Sequence, residues 1–339
     1  MYSNRKIILL GGSFDPIHYG HLEIMKTAMT QEQAQEGWFV LANQAPLKAG
    51  TDLDFEKRAE MVQMMIHHHR RLKLCTIEKE MSLPNYTIDT VTMLQKRYPE
   101  IEFVYVIGSD QAVRFTTWKD YQELLQRIKI LVYPRHFNDD VDEKMFDRLK
   151  APILEVSSTA IRQGKSVLTH PKILSTMITK GYYTLELIEQ TLNPERVQHS
   201  INVAQLATSL AKVHGEDPSI AYSVGLIHDL FKHKSLAEMK PYLTPSEQQQ
   251  PEYLHHGYAL AHYLAKVYHI RDRAFLRAIY HHVLGQGTDR LSQILFIADK
   301  AEPGRPYETE SYRTLAKQSL QVAVVRIIQD IEEIERKSQ

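Results

Sequence analysis

At 339 residues the chain exceeds what one hydrophobic core ordinarily organises, so two domains are expected. Apolar residues at 43% and charged residues at 24%, with 41 Lys and Arg against 41 Asp and Glu, describe ordinary globular protein and offer no bulk charge to draw a nucleic acid or a membrane surface. No apolar run approaches the ~18 residues of a bilayer span, Met1–Lys6 leads into a strand-like stretch without a secretory leader, and the lone Cys75 excludes an intrachain disulfide or a thiolate metal cluster. The expected compartment is the cytoplasm.

In chain order, short β-branched runs predict strands at Lys6–Leu10, Trp38–Leu41, Leu72–Ile77, Phe103–Ile107, Ile130–Tyr133 and Ile153–Val156. Between them, Phe55, Ala59, Val62, Met65 and Ile66 recur at helical spacing, and a helix opens near Thr87 and ends before Pro99. That alternation predicts a doubly wound parallel sheet. After Tyr183 the strand signal stops, and amphipathic helices are predicted over Glu195–Val213, Ser219–Leu230, Tyr253–Tyr268, Asp272–His282, Leu291–Lys300 and from Tyr312 onward. The fold class is therefore α/β plus all-α, with domains at 1–184 and 185–339 and the seam at Gly181–Thr184. Ser246–Pro251 reads as a solvated loop. His67-His68-His69-Arg70-Arg71 reads as the basic end of a helix.

Two histidine constellations carry chemistry. The first is Gly11-Gly12-Ser13-Phe14-Asp15-Pro16-Ile17-His18-Tyr19-Gly20-His21, behind the first strand and opening a helix. The glycines allow a sharp turn and close backbone approach, and His18 and His21 share one side of the first helical turn, where the dipole favours phosphate oxygens. The second is His199, His228-Asp229, His256, His282 and Asp299, spread over separate helices. Histidine and carboxylate without thiolate suit Fe or Mn rather than structural zinc, and a carboxylate closing an apolar run needs a partner when buried.

At the first constellation the chain resembles the nucleotidylyltransferases of the His-x-Gly-His type. Asn85-Tyr86-Thr87-Ile88-Asp89-Thr90, Ile107-Gly108-Ser109-Asp110, Trp118 and Ser157-Ser158-Thr159-Ala160-Ile161-Arg162 narrow the likeness, over about residues 5–183, to bacterial nicotinate-nucleotide adenylyltransferases. The resemblance implies transfer of AMP from ATP, carried with Mg²⁺, to nicotinate mononucleotide. His18 and His21 would donate to phosphate oxygens, with Gly11, Gly12, Ser13 and Phe14 forming the nucleotide loop. Ser158, Thr159 and Arg162 would hold the leaving phosphates, with Lys48 assisting. Gly108 and Asp110 would face the ribose, and Thr87 and Trp118 the pyridine ring. Nicotinamide mononucleotide is an alternative acceptor.

The arrangement His…His-Asp…Asp resembles the HD phosphohydrolases. With Arg196, Leu254-His255-His256-Gly257, Ala278-Ile279-Tyr280-His281-His282 and Ala298-Asp299-Lys300-Ala301-Glu302-Pro303-Gly304-Arg305, residues 190–335 look like the branch that splits diadenosine tetraphosphate symmetrically into two ADP. The resemblance implies a pair of metals, Fe or Mn, held by His199, His228, Asp229, His256, His282 and Asp299. Asp229 would belong to the catalytic centre, and Lys232 and Arg305 would meet substrate phosphates. Alternatives are hydrolysis of another nucleotide and a non-catalytic nucleotide sensor.

Overall fold

The computed structural model describes residues 5–44, 53–135, 142, 144–151 and 155–338. The chain packs as two compact units, one of residues 1–161 and 168–173, the other of 162–167 and 174–339. This division lies ahead of the change in periodicity at Gly181–Thr184. The helix Pro171–Thr179 belongs by its contacts to the second unit from Leu174 onward.

The first unit is built on six parallel strands: β1 (Arg5–Gly12), β2 (Glu36–Leu41), β3 (Leu72–Cys75), β4 (Ile101–Gly108), β5 (Lys129–Tyr133) and β6 (Asp147–Arg148), in the order β3-β2-β1-β4-β5-β6. Ile7, Leu9, Val40, Phe103 and Val132 are buried beneath the helices, as strands covered on both faces require. The sixth strand among the described residues is Asp147–Arg148; of the strand expected at Ile153–Val156, 153 and 154 lie outside the described residues, and 155 and 156 are irregular. Its two exposed charged residues make a short polar edge, which discourages further pairing and carries no apolar signal to read.

Six helices accompany the sheet: α1 (Tyr19–Gln31), α2 (Phe55–Ile66), α3 (Thr87–Arg97), α4 (Ser109–Ala112), α5 (Tyr121–Arg127) and α6 (Ser158–Arg162). After β3 the chain returns to pair β4 on the other side of β1. The strand order therefore reverses between β1 and β4, and a crevice opens at their carboxyl ends.

After α7 (Pro171–Thr179) and α8 (Thr184–Thr191) the second unit is helical: α9 (Pro194–His214), α10 (Pro218–Ile227), α11 (Leu236–Met239), α12 (Glu252–Lys266), α13 (Arg273–His281), α14 (Arg290–Ala301), α15 (Glu310–Gln318) and α16 (Leu320–Ser338). Asn193, Asp217, Asp272 and Asp289 cap α9, α10, α13 and α14 through their side chains, and Pro194 and Pro218 occupy first-turn positions, where no N–H is needed. The terminal helix is two helices, broken at Ser319. The loop at Ser246–Pro251 is exposed as expected except at Glu247, which is buried, accepts from Tyr280 Oη at 2.8 Å and pairs with His262 at 3.0 Å. Among the described residues no helix is long and apolar enough to cross a membrane.

Candidate functional site

The glycine-rich turn ends β1 at the crevice. A Cβ at Gly11 would strike the hydroxyl of Tyr105, and one at Gly12 would lie 2.9 Å from the Phe14 ring, so both positions need glycine for packing. Phe14, at φ +48°, is buried, its ring edge-on to His21 and Phe39 at 5.1 and 5.5 Å. Its ring therefore supports His21. A Cβ at Gly20 would lie 2.8 Å from Val156 and 2.9 Å from His18, so that glycine lets the helix start pack closely.

His18 is the N-cap of α1, and its backbone N–H donates to Nδ1 of His21 at 3.2 Å. The neutral His21 ring must then carry its proton on Nε2, as a donor. The rings stack with centroids 3.7 Å apart. Burial, helped by the positive charge of Arg135, pushes His18 down to about 4. Ser158 Oγ donates to the Pro16 carbonyl at 2.8 Å, committing its proton to the loop beside His18, while Thr159 is exposed.

A cavity of about 200 Å³ brings Gly11, Gly12 and Ser13 together with Thr87, at the start of α3, and Trp118, between α4 and α5. Trp118 is half-buried, leaning on Phe115 at 5.1 Å. Across the switch point, Asp110 in α4 pairs with Arg135 at 3.2 Å beside Gly108. Arg162 ends α6 and belongs to the second unit, where it pairs with Glu186 at 2.6 Å. Lys48 lies outside the described residues.

Three residues of this centre escaped the sequence reading. Arg58 in α2 is buried, donating to the carbonyls of Ser13 at 2.7 Å, Ala42 at 2.9 Å and Leu53 at 3.1 Å. Glu78 is buried in the cavity wall, accepting from Asn43 N–H and Thr90 Oγ1 at 3.2 and 3.1 Å; burial pushes its carboxyl up against those two bonds. Arg135 follows β5. In sequence each looks like a surface charge, because the groups that receive it come from distant segments.

In the second unit, five helices converge on Asp229. Its Oδ2 lies 4.0 Å from His199 Nε2 and 3.7 Å from His228 Nε2, while its Oδ1 lies 3.2 Å from His256 Nε2 and 3.7 Å from His282 Nε2. One carboxylate thus faces two histidine pairs, and His199–His228–Asp229 and Asp229–His256–His282 each form a group able to hold a metal ion. Asp299 closes the first side, 3.1 Å from His199 Nε2 and 3.6 Å from His228 Nε2. His255 instead bonds the Gln250 carbonyl at 2.9 Å, and His281 lies edge-on to Tyr280, so neither joins the cluster.

The donor set fits metals. His228 and His282 give their Nδ1 protons to the carbonyls of Gly225 and Ile279 at 2.7 and 2.6 Å, which leaves both Nε2 lone pairs facing inward. His228 Nε2 is buried without a hydrogen-bond partner among the described residues, and His256 Nε2 meets His282 Nε2 at 3.1 Å. Burial pushes Asp229 up, yet the neighbouring His228, His256 and His282 outweigh it and hold the carboxyl well below the usual range. For Asp299, burial is likewise outweighed by Lys300, His199 and His228.

Cations ring the cluster. Arg196 pairs with Asp229 at 2.9 Å, Lys300 with Asp299 at 2.9 Å, and Lys232 lies 3.4 Å from His256 Nε2. Arg305 turns back onto the carbonyl and carboxylate of Asp299, so its observed partner is a candidate ligand. Glu302, three residues past Asp299, receives His199 Nδ1 at 3.2 Å and Asn202 Nδ2 at 3.0 Å. A carboxylate behind a ligating histidine fixes its tautomer, and the i, i+3 spacing from Asp299 was the signal for it.

Fold and site define a nucleotidyltransferase joined to an HD-class hydrolase: the cytidylyltransferase-like family matches residues 9–164 and the HD domain 196–304. A probable nicotinate-nucleotide adenylyltransferase of Cytophaga hutchinsonii is 34% identical over 189 residues, spanning 53% of this chain and 98% of that protein. The chain belongs to the nicotinate-nucleotide adenylyltransferase family, here with an HD domain in the same polypeptide. A probable nicotinate-nucleotide adenylyltransferase/Ap4A hydrolase of Mycoplasma pneumoniae is 26% identical over 310 residues, spanning 89% of this chain and 90% of that one. The crystal structure of a predicted HD superfamily hydrolase involved in NAD metabolism from Clostridium acetobutylicum aligns with 46% of this chain and 86% of its own, at 27% identity and a TM-score of 0.42.

Proposed function

We propose that residues 1–184 transfer AMP from ATP to nicotinate mononucleotide and that residues 185–339 hydrolyse diadenosine tetraphosphate symmetrically, both in the cytoplasm. In the first reaction a phosphate oxygen of the mononucleotide bonds to the α-phosphorus of ATP, the bond to the β-phosphate oxygen breaks, and pyrophosphate leaves as deamido-NAD forms. The protein's part is positioning and charge stabilisation. His21, with its proton on Nε2, donates to phosphate oxygens beside His18. The cavity between the glycine turn, Thr87 and Trp118 takes the pyridine ring, Gly108 and Asp110 meet the ribose, and Ser158, Thr159, Arg162 and Lys48 serve the leaving phosphates, which travel with Mg²⁺.

The observation that carries the second reading is the division of Asp229 between two histidine pairs. His199, His228 and Asp299 would hold one metal, His256 and His282 the other, and Asp229 both; a set of imidazole and carboxylate suits Fe or Mn. Such a pair supplies Lewis acidity toward phosphate oxygens and lowers the pKa of a water. Lys232 and Arg196 add positive charge on the side where a polyphosphate would lie.

The test is the product pattern. Full-length protein loaded in turn with Fe²⁺, Mn²⁺ and Mg²⁺ is given diadenosine tetraphosphate, and separately ATP with nicotinate or nicotinamide mononucleotide. ADP as sole product, and pyrophosphate release with the acid, are expected. ATP plus AMP, or turnover of the amide alone, would sink the corresponding half.

A further inference from the structure

The loop that presents His18 and His21 is held by a part of the first unit far along the chain. Thr169 Oγ1 donates to the Ile17 carbonyl at 2.7 Å, and the Leu168 carbonyl accepts from Tyr19 N–H at 3.1 Å. Leu168 and Thr169 lie within residues 168–173, which pack with the first unit, and beyond residue 164, where the cytidylyltransferase-like match ends. Thr169 is only 2% exposed, so its bond to the loop is shielded from water.

The two bonds clamp His18 from both sides. Ile17 C=O belongs to the peptide unit before the His18 Cα, and Tyr19 N–H to the one after it. A peptide unit is planar, so fixing its carbonyl or its N–H also fixes the dihedral beside it. His18 is held in this way at φ −143° and ψ 170°, the extended conformation of an N-cap residue.

The first of these peptide units reaches further. Its carbonyl and its N–H point in opposite directions, and the His18 N–H donates to His21 Nδ1 at 3.2 Å. A continuous line of hydrogen bonds therefore runs from the Thr169 hydroxyl through the Ile17–His18 peptide to the His21 ring. Each bond in such a line polarises the next, so a hydroxyl on the carbonyl oxygen strengthens the N–H as a donor. The stronger that donor, the more firmly Nδ1 is kept as acceptor and the ring proton on Nε2.

We infer that Thr169 is a positioning residue for the adenylyl transfer: through the Ile17–His18 peptide it fixes the tautomer and direction of the His21 ring. It acts through the loop and not on the substrate. The inference rests on the phosphate role proposed for His21.

The experiment reads the ring nitrogens of His21 by nitrogen NMR in full-length protein at alkaline pH, with His21→Ala identifying the signals. Alongside, kcat and KM are measured for pyrophosphate release from ATP with nicotinate mononucleotide. In wild type, Nδ1 is expected as the acceptor and Nε2 as the protonated nitrogen. Thr169→Val, similar in shape but without the hydroxyl, is expected to mix the two tautomers and to lower kcat roughly tenfold, with the loss in kcat and not in KM. Thr169→Ser keeps the hydroxyl and should restore the nitrogen signals and most of kcat. In a His21→Ala background, Thr169→Val should cost nothing more. Should Thr169→Val fail to fold, Thr169→Cys, a weaker donor in the same place, should give a smaller change of the same sign. A wild-type ring protonated on Nδ1, unchanged signals or kcat without the hydroxyl, a Thr169→Ser protein as slow as Thr169→Val, or a further loss in the His21→Ala background overturns the inference. A wild type that releases no pyrophosphate with either mononucleotide defeats the transferase reading instead, and the nitrogen signals still decide whether Thr169 sets the ring.

Discussion

His18 and His21 are alike in sequence and unlike in chemistry. His21 takes the backbone proton of His18 on Nδ1 and keeps its own on Nε2, while His18 is held neutral at pH 7 by burial and by Arg135. A ring titration followed by NMR is expected to place His18 near pH 4 in the free protein; a midpoint at 6.5 would sink this account. Because the folded pKa lies below the unfolded 6.5, the unfolded chain binds the extra proton first. Stability of the first unit should be complete above pH 6.5 and fall as pH drops from 6.5 to 4, by on the order of 3 kcal/mol from this ring. The spacing of these histidines was readable because consecutive helical positions fix it. Arg58, Glu78 and Arg135 were unreadable because their partners come from other segments of the chain.

At the scale of elements, α2 does more than cover the sheet. Arg58 points from it into the interior and supplies the donors for three carbonyls, among them Ser13 in the nucleotide loop and Ala42 after β2. Arg58→Met keeps the bulk and removes the donors; urea unfolding should register a loss of roughly 2 to 4 kcal/mol. An unchanged midpoint would mean that the loop keeps its shape without help from α2. Strands β1, β2, β4 and β5 were legible from β-branched runs, since burial on both faces imposes an apolar composition. β6 was not, because two polar residues at an edge have no pattern. The break at Ser319 was also hidden, since Ala316, Leu320, Val324 and Ile327 continue an apolar spacing straight through it.

For the whole molecule, each constellation has its own setting. The cavity-lining residues lie in the first unit and the histidine–aspartate cluster in the second. Asp229→Ala should therefore abolish hydrolysis of diadenosine tetraphosphate while leaving deamido-NAD synthesis within about twofold, and His21→Ala should do the reverse. Assaying both variants for both reactions checks this, and loss of synthesis in Asp229→Ala would refute the separation. The two-domain plan was legible because the period of the apolar pattern changes from strand to helix. The point where packing divides was less so: in α7, Ile173 falls in one unit and Leu174 in the other, a change of contacts within one unbroken helical pattern.

β1 and β4, on either side of the switch point, both end in glycine. A side chain at Gly12 would run into Phe14, and one at Gly108 into Asp110 and Arg135. Neither strand end has room for a side chain of its own, because Phe14, Asp110 and Arg135 already fill that space. The side chains available to tell one acceptor from another project from other segments of the cavity lining, those around Thr87 and Trp118 among them. Exchanging those segments is expected to change the preferred acceptor while the strand ends stay as they are.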